Sequence, residues 1–525
     1  MRTSLSRRPQ RPHSLLSTGA RRRALVGACA AAVLAGCAVG PDYQRPEPVL
    51  PPAWRAPLAE AADVTNTAWW EAFDDADLNG VIRAALDANK DLALATLRIE
   101  EFEARLRVSR AANYPKVTAG VSANRQLYSE ERPVLLPGSA DPFQNAFLVN
   151  ANISWEIDIW GRVKRANESA RAQLLATEEA RRTVMLTLVS NVATSYVQLL
   201  GLDQQLALAR NTLKNREDAL QLATTRFEGG SGTRLAVAQA RAAVDALGTA
   251  VPDIERQQAL LENALSVLMG RNPAPVARRK LEMLKLPAVP QGVPSDVLTR
   301  RPDVLAAEQN LISANALIGV AKAEYFPAIS LTGMAGLASD DLRWLTARTA
   351  RTGGIGASLL GTIFDGGRIA GEVRQSEAVQ KQMLVSYEKA VQDALREVED
   401  ALITQAKAAE LAAAVDRQVK SLTEVMELAR MRYEGGQSSF LEVLDAEREF
   451  YTAQSQQAQR RGDTYVALIA LYKAMGGGWM VEQDRLRAPA AAAAPTAAHQ
   501  PGTTMAAVQM SESQERAATE QETRK

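Results

Sequence analysis

The sequence predicts a mixed α and β fold, in which long antiparallel coiled-coil helices join four amphipathic strands in an internal two-fold repeat. Three observations predict it. Short motifs recur at one constant offset of 206 residues. Two stretches of more than 60 residues run without a proline and with helical periodicity. The segments that precede them alternate apolar and polar residues, the signature of strands.

The repeat rests on position. Arg226-Phe227-Glu228-Gly229-Gly230 returns as Arg432-Tyr433-Glu434-Gly435-Gly436, Gly161-Arg162 as Gly367-Arg368, and Met269-Gly270 as Met475-Gly476, each 206 residues later. Tyr114-Pro115 and Phe326-Pro327 stand 212 apart, so one connection differs by six residues between the copies. A common offset over three motifs points to duplication.

In the first copy, Phe147, Val149, Ala151, Ile153, Trp155, Ile157 and Ile159 alternate with Asn150, Asn152, Ser154, Glu156 and Asp158. Val117, Ala119, Val121 and Ala123 alternate with Thr118, Gly120, Ser122 and Asn124. The matching segments of the second copy, 328–339 and 353–364, are richer in glycine. The result is four strands, each long enough for a tilted membrane strand of about 9–11 residues.

Helix follows each strand pair. Leu384, Tyr387, Val391, Leu395, Val398 and Leu402 are spaced 3, 4, 4, 3 and 4, the seam of a coiled coil. From Arg162 to Arg226 is 65 residues, or about 100 Å of helix. After each Gly-Gly turn a shorter helix returns, to about Gly270 and to about Met475, and Pro252 should kink the first. Further helices are expected over 78–113 and 295–324, before the strand pairs. In Arg300-Arg301-Pro302-Asp303 the proline suits the first helical position and the aspartate the first turn, a structural start rather than a ligand site. Trp69-Trp70 and Trp155 fit either interfacial anchors or core.

Composition agrees and excludes much else. Aromatics make up only 5% of the 525 residues, and the net charge of +1 carries no nucleic-acid signature. No uninterrupted run of 18 apolar residues occurs, which argues against a transmembrane helix. The cysteines, Cys29 and Cys37, lie near the start, and the histidines are His13 and His499. The body therefore has no thiol nucleophile, imidazole base, disulfide or His/Cys metal ligand; catalytic residues, a metal site and a cofactor are not expected.

The first 23 residues are basic, and an apolar run from Ala24 to Leu34 follows, as in a signal peptide. Leu34-Ala35-Gly36-Cys37 has the form of a lipobox, in which Cys37 is acylated and becomes the mature N-terminus; the alternative is a plain signal with a chance cysteine. The proline-rich stretch from Gly40-Pro41-Asp42-Tyr43 to Pro57 cannot be helical and suits a tether. The expected division is a signal peptide over 1–36, a lipid-anchored tether over 37–65, a first repeat over 66–270, a linker over 271–294, a second repeat over 295–479 and a disordered tail over 480–525.

Only helices and closed barrels satisfy backbone amides in a bilayer. Four strands cannot close a barrel, so several chains must share one. The lipobox, Gly40-Pro41-Asp42-Tyr43, Arg300-Arg301-Pro302-Asp303-Val304, Ala323-Glu324-Tyr325-Phe326-Pro327, Arg432-Tyr433-Glu434-Gly435, Val443-Leu444-Asp445-Ala446 and Ala474-Met475-Gly476-Gly477-Gly478-Trp479 occur in an order that resembles the NodT-type lipoprotein branch of the TolC-like outer-membrane efflux factors. The resemblance implies a homotrimer closing a barrel of about twelve strands in the Gram-negative outer membrane. It also implies a helical periplasmic tunnel, a periplasmic adaptor (membrane fusion) protein and an inner-membrane RND-type pump. A passive exit duct for small molecules is the expected function. A type I protein-secretion channel and a structural coiled-coil envelope lipoprotein are the alternatives.

The resemblance also places roles on residues. The helix tips at Arg226, Gly229, Gly230, Arg432, Gly435 and Gly436 would meet the adaptor, although glycine there also suits plain turn chemistry through a positive φ. A periplasmic gate is expected at Leu441, Asp445 and Arg448, which share one helix face. The repeat offset maps Asp445 onto Gln239 and Arg448 onto Ala242, so these charges occur in one copy alone.

Overall fold

The computed structural model describes residues 38–48, 50–55, 68–127, 143–287, 289, 294 and 297–477. The expected signal peptide, Cys37, Trp479, the tail and part of the linker lie outside the described residues. The elements run α1 (Ala76–Ala88), α2 (Lys90–Ala111), β1 (Lys116–Leu127), β2 (Phe143–Ile157), α3 (Arg162–Glu228), α4 (Arg234–Gly248) and α5 (Ala250–Leu268), then α6 (Val297–Arg300), α7 (Pro302–Ala323), β3 (Ala328–Ser339), β4 (Arg351–Leu360), α8 (Arg368–Glu434) and α9 (Phe440–Ala474).

The four strands form one antiparallel sheet in the order β1-β2-β3-β4. One row across it reads Ala119, Ala151, Ala335, Gly353. Among the described residues no apolar layer covers the sheet: Val121 is 80% and Ile355 98% exposed. The outer edges of β1 and β4 have no partner strand among the described residues. β4 ends at Leu360 rather than at the expected 364, because its partner strand starts only at Ala328. The residue before that start, Pro327, has no N–H to extend the ladder, and Ile363 and Phe364 project fully exposed.

α3 and α8 are each 67 residues long, and their first residues stand 206 apart. Both start at a glycine of positive φ, Gly161 (75°) and Gly367 (92°). A carboxylate satisfies the first free amides of each: Asp158 accepts from Val163 and Lys164, and Asp365 accepts from Gly367 and Ile369. These bonds hold the Asp365 carboxyl below its ordinary range. At the far ends the expectation about glycine needs correcting. Gly229 and Gly435 have φ of −79° and −78°, and only Gly230 (74°) and Gly436 (70°) are left-handed. The first glycine of each pair closes the last helical turn and the second reverses the chain.

The coiled-coil seam of α8 is buried as its spacing predicts. Tyr387, Val391, Val398 and Leu402 pack with Val304 and Leu311 of α7 and with Leu471 and Ala474 of α9, flanked by Leu384 and Leu395. Each large side chain buried there contributes about 1.5–3 kcal/mol. Trp69 and Trp70 belong to the core and are not anchors. Trp69 stacks on Tyr472 at 5.2 Å, and nearby Asp75 accepts from Tyr196 at 3.0 Å. Trp155 lies on the sheet, its indole N–H donating to the Asn113 carbonyl at 3.1 Å.

The 78–113 and 295–324 segments are each broken where one helix was expected, the latter at Arg301, and the return helix divides near the Pro252 expected to kink it. The 78–113 segment splits at Asn89, whose side chain caps α2 through Leu92 N and donates to the Leu268 carbonyl. The return helix after the first tip divides at Thr249, between α4 and α5. Pro252 cannot donate to the carbonyl of Gly248, which explains that site. By length and composition, Arg162–Glu228 and Pro302–Ala323 could cross a membrane, which counting uninterrupted apolar runs overlooked. Their apolar windows are 67% and 50% buried within the fold, as core helices are.

Candidate functional site

Three places in the fold carry the residues singled out above: the helix tips, one face of α9, and the junction of sheet and helices.

The tips of the two long hairpins meet. Arg226 lies over the ring of Tyr433, 5.8 Å from its centroid, and reaches its hydroxyl at 3.5 Å. Tyr433 packs on Phe440 at 5.3 Å, and Arg432 pairs with Glu442 at 3.3 Å. Arg226, Gly229, Gly230, Arg432, Gly435 and Gly436 thus occupy one end of the molecule. Sequence reading missed Tyr433, Phe440 and Glu442 there. Tyr433 holds the place of Phe227 in the repeated motif, so the added hydroxyl was the available signal.

On α9, Asp445 and Arg448 form an ion pair of 3.2 Å with side chains 53% and 64% exposed, and Arg448 also reaches Glu449 at 3.5 Å. Leu441 shares that exposed face. Such a pair contributes about 0.2–0.5 kcal/mol within one helix. The three residues present a polar and apolar surface that stays exposed among the described residues.

At the junction the proline-rich segment does not hang free. Val39 N donates to the Trp160 carbonyl at 2.9 Å, and the Pro41 carbonyl accepts from Asn315 at 2.9 Å. A Cβ on Gly319 would lie 2.7 Å from the Val39 carbonyl, and one on Gly40 would lie 2.5 Å from the Gly319 Cα. Gly40 itself has a φ of 103°. Arg165, buried on α3, pairs with Asp42 at 2.6 Å and with Glu168 at 2.8 Å. Its guanidinium holds the Asp42 carboxyl below the usual range. Glu308 on α7 accepts from Tyr43 at 3.2 Å and Arg45 at 2.8 Å. Burial first, and then Glu308, push the Tyr43 phenol above its ordinary value. The segment after Cys37 is thereby clamped to two helices, α3 and α7, with Ala38 against Gly161, where β2 passes into α3. The two Gly-Arg motifs sit at the same level. Arg162 pairs with Glu156 at 2.7 Å, and Arg368 with Glu324 at 3.0 Å and Glu372 at 2.8 Å.

Arg301 is a clamp of the same kind. Buried at the start of α7, it binds Asp303 at 2.6 Å, Glu397 of α8 at 2.8 Å and the Ala474 carbonyl of α9 at 3.1 Å. Pro302 takes the first helical position, as expected.

Comparison with known proteins places this architecture. Residues 81–271 and 293–477 match the family described as outer membrane efflux protein. The cation efflux system protein CusC of Escherichia coli O157:H7 is 35% identical over 460 residues, covering 86% of this chain and 98% of CusC. The pyoverdine export outer membrane protein OpmQ of Pseudomonas putida is 33% identical over 440 residues, covering 83% of this chain and 93% of OpmQ. Among solved structures, the outer-membrane channel OprN superposes with a TM-score of 0.78 at 29% identity, covering 84% of this chain and all of that one.

Proposed function

The chain belongs to the outer membrane efflux protein family, and from that premise we infer that it is the outer-membrane channel subunit of a tripartite efflux system. It is a passive exit duct for small molecules that an inner-membrane transporter drives through a periplasmic adaptor. The single observation that carries this reading is the sheet of four exposed strands with both edges unpaired. Such edges do not persist open in lipid. Three copies, joined edge to edge, close a barrel of about twelve strands. The two helices of 67 residues continue it as a tunnel roughly 100 Å long. A structural coiled-coil lipoprotein needs no such sheet.

The finer assignments are proposals on the same footing. Cys37 carries the lipid anchor; the adjacent Ala38 lies at the sheet–helix junction, the level at which an anchored end meets the periplasmic leaflet. The tips around Arg226 and Arg432 receive the adaptor, and Leu441, Asp445 and Arg448 form the periplasmic gate. The equal long helices and the 206-residue offset support an internal duplication. Relatives named for cation and pyoverdine export differ widely in cargo.

The test is reconstitution and loss. Purified full-length protein should conduct in planar bilayers, and deleting it should raise accumulation of a fluorescent pump cargo that the restored chain exports again. Absence of both effects overturns the assignment.

A further inference from the structure

The sheet has two unlike ends. At the helix end, the arginines of the Gly-Arg motifs are neutralised by Glu156, Glu324 and Glu372. At the far end, residues 340–350 connect β3 to β4, and the arginines are less well matched. Arg343 pairs with Asp341 at 2.6 Å. Arg348 and Arg351 are exposed, and no ion pair to either occurs among the described residues. In the same loop Leu342 and Trp344 are 63% and 62% exposed.

The position of this loop follows from the reading above, on which the inference rests. The end bearing Ala38 faces the periplasm, so the far end faces outward. The 12 residues of β3 rise about 40 Å, or roughly 30 Å at a tilt of about 40°, against an apolar band of about 25 Å. The loop therefore lies at the headgroup level of the outer leaflet, its tryptophan and leucine at the depth where amphipathic side chains partition.

We propose that residues 340–351 form a docking surface for the phosphate groups of an outer-leaflet glycolipid, with Arg348 and Arg351 binding phosphate and Trp344 and Leu342 lying against the acyl chains. Guanidinium groups suit this role because their forked donors match phosphate oxygens and remain charged at every relevant pH. Two cations without an ion pair among the described residues, in one loop with two exposed apolar side chains, complement a phosphorylated, acylated headgroup, whereas a free phosphate ion would use the arginines and leave Trp344 and Leu342 unused. In a shared barrel the surface recurs once per copy, giving bound lipid a place around the outer rim.

The experiment is native mass spectrometry of the full-length protein, extracted from the outer membrane in mild detergent and titrated with purified lipid A. Dephosphorylated lipid A and phosphatidylglycerol serve as comparison lipids. Lipid A should bind more tightly than both. The double variant R348Q/R351Q should weaken it at least about tenfold, and Trp344→Ala should weaken it less. Arg343→Gln, whose charge is already answered by Asp341, should bind within about twofold of the parent, on the small worth of exposed pairs. Equal binding by parent and R348Q/R351Q overturns the proposal, as does equal preference for phosphatidylglycerol. Membrane fractionation of the same samples separates the two levels. Protein absent from the outer membrane overturns the channel reading, whereas protein present there without lipid A discrimination overturns this inference alone.

Discussion

Replacing Asp445 and Arg448 by alanine tests whether their face of α9 holds the duct closed. Within one chain the two side chains form an exposed intrahelical pair of 3.2 Å. A pair of that kind travels with its helix and holds nothing shut. Closure requires that each copy direct these charges to its neighbour, an exposed contact worth about 0.2–1 kcal/mol. Three copies acting together on a symmetry axis give about 0.6–3 kcal/mol, which shifts the open-to-closed ratio between about 3-fold and 150-fold. Single-channel recording in planar bilayers should show that increase in open probability for D445A/R448A, smaller at high salt because exposed charges are screened. Cells carrying the variant should admit more of a large antibiotic such as vancomycin. The matched control is Gln239→Ala, at the repeat-related position of the other copy, which should behave as the parent. If D445A/R448A and Q239A both keep the parental open probability at low salt, the face of Leu441, Asp445 and Arg448 is a solvated surface and the gate lies elsewhere.

Three further outcomes are expected. Radiolabelled palmitate should mark the wild-type protein and not Cys37→Ala; an unlabelled wild type refutes the anchor. Protein extracted in detergent should run as a homotrimer by light scattering after correction for bound detergent, whereas a monodisperse monomer with full sheet content refutes the shared barrel. Gly319→Val should release the segment 38–55 from the helices, because its Cβ would already lie 2.7 Å from the Val39 carbonyl and 2.8 Å from the Arg165 side chain. Limited proteolysis should then cut that segment at least several-fold faster than in Gly201→Ala, where a Cβ meets open space; equal rates refute the clamp.

Local pattern alone determined the elements of this protein. Period two placed β1 and β2, as between Phe147 and Ile157, and the repeat carried that reading to the glycine-rich β3 and β4. The heptad from Leu384 to Leu402 placed the buried seam of α8, because a proline-free helix of that length has one face to bury. The paired Gly-Gly motifs located both tips, since only glycine reverses a helix end at positive φ without cost. Tertiary structure decided what depends on residues distant in the chain. The split at Asn89 needed the Leu268 carbonyl as a second partner for its amide. Trp69 is held in the core partly by Tyr472, which stacks on it from a distant helix. Arg226 and Tyr433, 207 positions apart, meet only when both hairpins end at one level. The tether became a clamp through Gly40 and Gly319, two glycines whose reciprocal close approach leaves no periodic trace in sequence. Hydrophobic periodicity records which face a residue turns inward, and it carries no record of which distant residue it will find there.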